Sequence, residues 1–163
     1  MVRNTHGVTL MEILMVVAII GIVAMIAPPM ISQTAKVFVL SKAKLELQRE
    51  ARAATYVITR ELRQAQSNTI IIDQASGQPY YSRIQFIDIQ GASVTIAQKG
   101  TSLLLTKGID VTTLTNNLAY MSFTFPRSDD MTIVSVALTL QEQIYNGLYK
   151  ALHMASEKVR VMN

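Results

Sequence analysis

The chain contains no cysteine and no tryptophan. Without cysteine, an exported domain must hold together by packing alone, and thiolate nucleophiles and thiolate metal sites are excluded. With aromatic residues at only 6%, the chain also lacks the flat platforms on which carbohydrate and single-stranded nucleic-acid binders stack their ligands. Histidine is scarce: His6 lies near the amino terminus, and His153 has no second histidine or cysteine beside it to complete a metal site. The adjacent Asp129 and Asp130 suit a turn and lack a glutamate at calcium-loop spacing. No Ser/His/Asp set, catalytic carboxylate pair or phosphate loop can be assembled. The expectation is a non-enzyme with no catalytic residues, no cofactor and no metal.

Charge is unevenly spread. The net charge of +4 has its excess between Lys36 and Arg63, where Lys36, Lys42, Lys44, Arg49, Arg52, Arg60 and Arg63 face only Glu46, Glu50 and Glu61. Such a stretch could attract nucleic acid. A solvated or subunit-facing helix is the plainer reading.

Apolar residues are abundant, at 50%. From Ile13 to Ile31 no residue ionises, and as a helix this stretch is roughly 28 Å long, close to the hydrocarbon thickness of a bilayer. A secretory signal would end in a small-x-small cleavage site, whereas this run meets Ala27-Pro28-Pro29, where proline obstructs most peptidases. Basic residues flank both sides, Arg3 before and Lys36 beyond, so charge alone does not orient the segment.

Glu12 stands at the edge of the run and admits two readings. Thr9-Leu10-Met11-Glu12 fits a helix-capping box, in which the two side chains satisfy exposed backbone donors. Alternatively, a carboxylate placed in an apolar setting needs a cation, and a free amino terminus made by cutting before Val8 would supply one.

Gly7-Val8-Thr9-Leu10-Met11-Glu12 and its apolar continuation resemble the processing signature of type IV prepilins and pseudopilins. The resemblance implies cleavage after Gly7 by a prepilin peptidase on the cytoplasmic side, with methylation of the new amino terminus at Val8. Gly7 would be required because the peptidase accommodates little more than a hydrogen there. Glu12, with Thr9 in the same motif, would offset the terminal charge of a neighbouring subunit during assembly. Val8 departs from the family, where phenylalanine is most common. Pilins often carry a proline near the depth of Pro28 and Pro29, so the resemblance favours a kink or locally melted turn over a stop, although proline can end a helix. Gly21 is a second soft point.

Beyond the prolines, Val37, Leu40, Lys44, Leu47, Ala51, Ala54, Ile58, Leu62 and Ala65 recur at spacings of three and four, predicting an amphipathic helix. Its second half, Leu47 to Ala65, is expected to lie on a sheet, and its first half to face other subunits. After Ser67-Asn68 the period drops to two. Strands are expected over 69–73, 82–89, 93–97, 102–106, 119–126 and 132–140, with turns at Lys99-Gly100, Lys107-Gly108 and 127–130, as an antiparallel meander. Val134, Val136, Leu138 and Leu140 share one face of the clearest strand. Tyr145, Leu148, Tyr149 and Leu152 suggest a short helix interrupted by Gly147, before a closing edge strand from Glu157.

The phrases Glu46-Leu47-Gln48-Arg49-Glu50 and Ile58 to Ala65 resemble the stem of J-type minor pseudopilins of type II secretion and of W-type minor pilins, although Met162 stands where J-type chains often have arginine. The implied fold is α+β and lollipop-shaped, a long N-terminal helix on a C-terminal antiparallel sheet domain. Its segments would be a leader over 1–7, a transmembrane and filament-core helix over 8–34, an amphipathic stem over 35–66 and the sheet domain over 67–163. The implied function is that of a minor pilin or pseudopilin subunit in a type IV pilus-like or type II secretion filament, acting in initiation or at the tip. Implied partners are the prepilin peptidase, other pilin or pseudopilin subunits and the inner-membrane assembly platform. The implied location is the bacterial inner membrane, crossed once with the C-terminal domain on the periplasmic or extracytoplasmic side, and then the filament. The alternative is a filament-borne binding module for DNA or surfaces, with nucleic acid as partner.

Overall fold

The computed structural model describes residues 7–144 and 147–162. Two compact units divide the chain, Met1–Val39 and Leu40–Asn163. Helix α1, Leu10–Arg63, begins in the first and supplies the spine of the second.

In the first unit α1 is apolar and unburied; among the described residues the first to pack against the core is Leu40, and the first fully within it is Ala43. Pro28 and Pro29 lie inside α1, which neither stops nor melts at them. Each proline withholds the N–H that would reach the carbonyl four residues back. Past them, Thr34 Oγ1 donates to the Met30 carbonyl at 2.9 Å.

The second unit holds two antiparallel sheets. Strands β1 (Ile71–Asp73), β2 (Arg83–Ile87), β3 (Ser93–Lys99), β4 (Ser102–Lys107) and β5 (Asp110–Thr115) form a five-stranded meander in chain order. Strands β6 (Leu118–Thr124), β7 (Ile133–Ile144) and β8 (Tyr149–Arg160) form a three-stranded sheet, also in chain order. Period-two alternation sends Ile84 and Phe86, Val94 and Ile96, Leu103 and Leu105, Met121 and Phe123, and Val134 through Leu140 in alternate positions into one core. The α1 stripe Ala43, Leu47, Ala51, Ala54, Ile58 and Leu62 completes that core. Each fully buried Leu or Ile there contributes about 1.5–3 kcal/mol of transfer free energy. The expected α+β architecture, a long apolar helix packed on antiparallel strands, is the one observed.

Several local expectations are corrected. The helix ends at Arg63, and Ala65 sits instead in an isolated bridge to Asp88. In the buried stripe Ala43 takes the place assigned to Lys44, which is exposed, as is Val37. Residues 67–69 form a 3₁₀ turn, so β1 starts only at Ile71. β5 occupies a stretch left unassigned by pattern, because most of its residues are exposed and show no alternation. The single sheet becomes two, separated between Thr115 and Leu118.

Over residues 147–152 a turn and the start of β8 stand where a short helix was expected. Gly147 has φ +88°, and the strand register Ile144↔Tyr149 through Gln141↔Leu152 takes up the residues that follow. Twelve paired positions along β7 and β8 outweigh a weak helical spacing with glycine in it. Tyr145 lies outside the described residues.

Candidate functional site

Gly7, Val8 and Thr9 precede α1, exposed and in irregular backbone. Thr9 caps the helix: the Glu12 N–H donates to Thr9 Oγ1 at 3.3 Å, and the Thr9 N–H donates to Glu12 Oε2 at 3.4 Å. This is the reciprocal capping box, with the carboxylate also well placed at the positive end of the helix dipole. A side chain at Gly7 would meet nothing within 4 Å, and the same holds at Gly21. The structure therefore joins Thr9 to Glu12, leaves Gly7 and Val8 accessible ahead of them, and sets Gly21, Pro28 and Pro29 along an unburied helix. Arg3 and His6 lie outside the described residues.

Behind this segment, α1 presents apolar side chains on all sides. Leu10 is 79% exposed and Met25 80%, and the mean hydropathy over an 18-residue window is 2.8 with none of that window buried. By length and composition the helix suffices to cross a membrane. A surface of this kind needs lipid or protein to cover it.

The domain end of α1 is fixed by buried charges. Glu61 is 4% exposed, and Asp88 is fully buried. Lys107 Nζ reaches both, 2.8 Å from Asp88 Oδ2 and 3.3 Å from Glu61 Oε2, while Arg60 Nη2 closes on Glu61 Oε1 at 2.8 Å. Asp88 Oδ1 also accepts the N–H groups of Gln90 and Ala92, each at 2.9 Å. The Lys107 hydrogen bond, helped by those two N–H groups and opposed by burial, holds the Asp88 carboxyl below the usual carboxylate range. Lys107 is raised reciprocally, chiefly by its hydrogen bond to Asp88. About three turns earlier on α1, the Glu50 carboxylate accepts hydrogen bonds from Thr115 Oγ1 at 2.9 Å and Asn117 Nδ2 at 3.0 Å. Period-two spacing puts Asp88 on the face of Ile84 and Phe86, an inward acid that demands a cation; which cation supplies it is set by contacts distant in sequence.

Asp129 is paired with Arg127 at 3.0 Å, and Asp130 Oδ1 accepts the Thr132 N–H at 3.0 Å. His153 is half-buried on β8. Among the described residues no group of three or more His, Cys, Asp or Glu side chains is placed to hold a metal ion.

Residues 2–28 match the prokaryotic N-terminal methylation motif. No curated protein and no solved structure matches the chain. The match covers the methylation motif at the amino-terminal end, and the helix that carries it is long and apolar enough to cross a membrane.

Proposed function

We propose that this protein is a minor pilin or pseudopilin, inserted in the inner membrane, cleaved after Gly7, methylated at Val8 and assembled into a type IV pilus-like or type II secretion filament at initiation or at the tip. The match to the methylation motif over residues 2–28 carries this reading. On it, residues 1–7 are the leader, 8–34 the transmembrane and filament-core segment, 35–66 the stem and 67–163 the outward domain. The mechanism is mechanical. Apolar helices exchange lipid for one another in the filament core, and each Glu12 meets the amino terminus of a neighbour. The capping box suits that task, because only Glu12 Oε2 is engaged by Thr9, leaving the second carboxylate oxygen for a cation. Pro28 and Pro29, with Gly21, lower the local stiffness of the helix as it passes from bilayer to filament.

Mass spectrometry of the protein purified from membranes of its host tests this directly. The expected species begins at a methylated Val8. A mature chain still carrying Met1 to Gly7 would sink the reading.

A further inference from the structure

A groove of about 830 Å³ runs between α1 and β8 in the second unit. Its β8 wall is made by five consecutive residues, 153–157. Successive side chains of a strand point to opposite faces, so a wall of consecutive residues is the edge of the strand and not a face of the sheet. β8 is terminal in its sheet and pairs only with β7. Its outer edge therefore carries backbone N–H and C=O groups with no strand against them among the described residues, a template for an added strand.

The opposite wall comes from α1. Thr59, only 8% exposed, lines the groove, and its Oγ1 is buried without a hydrogen-bond partner among the described residues. Thr55 Oγ1, one turn earlier on the same wall, is in the same state. Buried hydroxyls are rarely left unsatisfied, and a turn of either side chain toward the groove would give these two a partner there. Arg52 and Arg63 line the same wall and form no ion pair among the described residues, whereas Arg60 is held by Glu61. Glu157 is the one acid on the lining.

We propose that this groove takes an extended, acidic segment of a partner polypeptide, which adds as a strand to the outer edge of β8 and lays carboxylates against Arg52 and Arg63. The strand edge favours a peptide over a nucleic acid, because its alternating donors and acceptors match a polypeptide backbone and not a phosphate chain. The inference uses no residue of the amino-terminal segment and stands apart from the filament reading.

The test uses the full chain in detergent micelles and three probes: a short capped peptide alternating glutamate and valine, its lysine counterpart, and an oligothymidylate. The glutamate peptide is expected to bind and to slow hydrogen exchange at every second amide within residues 153–157, as read by NMR. The double variant R52E/R63E changes exposed side chains, so its circular dichroism should match that of the parent while affinity for the glutamate peptide falls about tenfold or more. Absence of slowed exchange in β8, equal binding of the lysine peptide, or preference for the oligothymidylate overturns the proposal.

Discussion

The Thr9 N–H points at the Glu12 carboxylate, 3.4 Å from Oε2, while the Glu12 N–H meets Thr9 Oγ1 at 3.3 Å. Cap and charge are therefore properties of one side chain, and substitutions can separate them. Glutamine serves in a capping box as glutamate does, so Glu12→Gln keeps the whole box and removes the charge, whereas Glu12→Ala removes the charge and the Glu12 half of the box, leaving the Thr9 Oγ1 bond to the residue 12 N–H in place. If assembly requires the charge, the two variants insert in the membrane normally and lose incorporation into filaments to similar extents. Glu12→Gln incorporating like the parent while Glu12→Ala fails would assign the residue to the cap alone.

Gly7 separates recognition from folding in the same way. Nothing lies within 4 Å of the position a Cβ would take, so Gly7→Val disturbs no contact of the described chain. The variant should accumulate unprocessed, with the leader attached, when a prepilin peptidase is present, and its thermal unfolding should match that of the unprocessed parent. Normal cleavage of Gly7→Val would remove the steric account of this position.

Lys107→Met leaves the buried Asp88 and Glu61 carboxylates without their shared ammonium. Breaking a buried ion pair costs about 3–5 kcal/mol; Lys107 keeps 36% of its side chain exposed, so solvent screening brings the expected loss to about 2–3 kcal/mol. Denaturant unfolding of the domain measures it. The pH dependence follows from the two shifts. The folded Asp88 value is lowered, so its stabilisation is present above the ordinary value of 3.8 and is lost as the pH falls through the lowered folded value. The Lys107 value is raised, so its stabilisation is complete below 10.5 and is lost as the pH rises through the raised folded value. Both contributions are whole in the neutral range, and Lys107→Met should flatten both limbs.

Glu50 ties α1 to the junction between the sheets. Its carboxylate receives Thr115 Oγ1 and Asn117 Nδ2, and Thr115 is buried. Glu50→Ala leaves those donors unanswered and should lower stability by about 1–3 kcal/mol, read as a shift in the denaturant midpoint. A change within experimental error would show that water replaces the carboxylate at this point.

How much of this was legible depended on whether a residue's setting is decided locally. The capping box is local, fixed by a spacing of three, and Thr9 and Glu12 meet as that spacing requires. The face shared by Val134, Val136, Leu138 and Leu140 is also local, and all four are buried. What stayed hidden depends on contacts distant in sequence. Glu61 and Lys107 are 46 residues apart, and each alone looks like a solvated charge. β5 is nearly all exposed and is held by pairing with β4 through residues whose side chains carry no inward pattern. The start of β8 was misjudged because its helical spacing is a property of the segment, whereas its strand state is a property of β7.

The double proline poses the remaining question of mechanism. α1 continues through Pro28 and Pro29, yet neither can donate the hydrogen bond that an ordinary helical residue would give to the carbonyls of Ala24 and Met25. Those carbonyls sit in the most apolar part of the helix, where an unanswered polar group is expensive to keep. Replacing both prolines with alanine restores the two bonds, so the isolated helix should become more resistant to hydrogen exchange around residues 24–33. If the missing bonds serve the passage from bilayer to filament, the stiffer variant should insert and be cleaved normally while assembling more slowly. Assembly at the parental rate, with the added protection confirmed by exchange, would mean that the softness of this turn has no part in assembly.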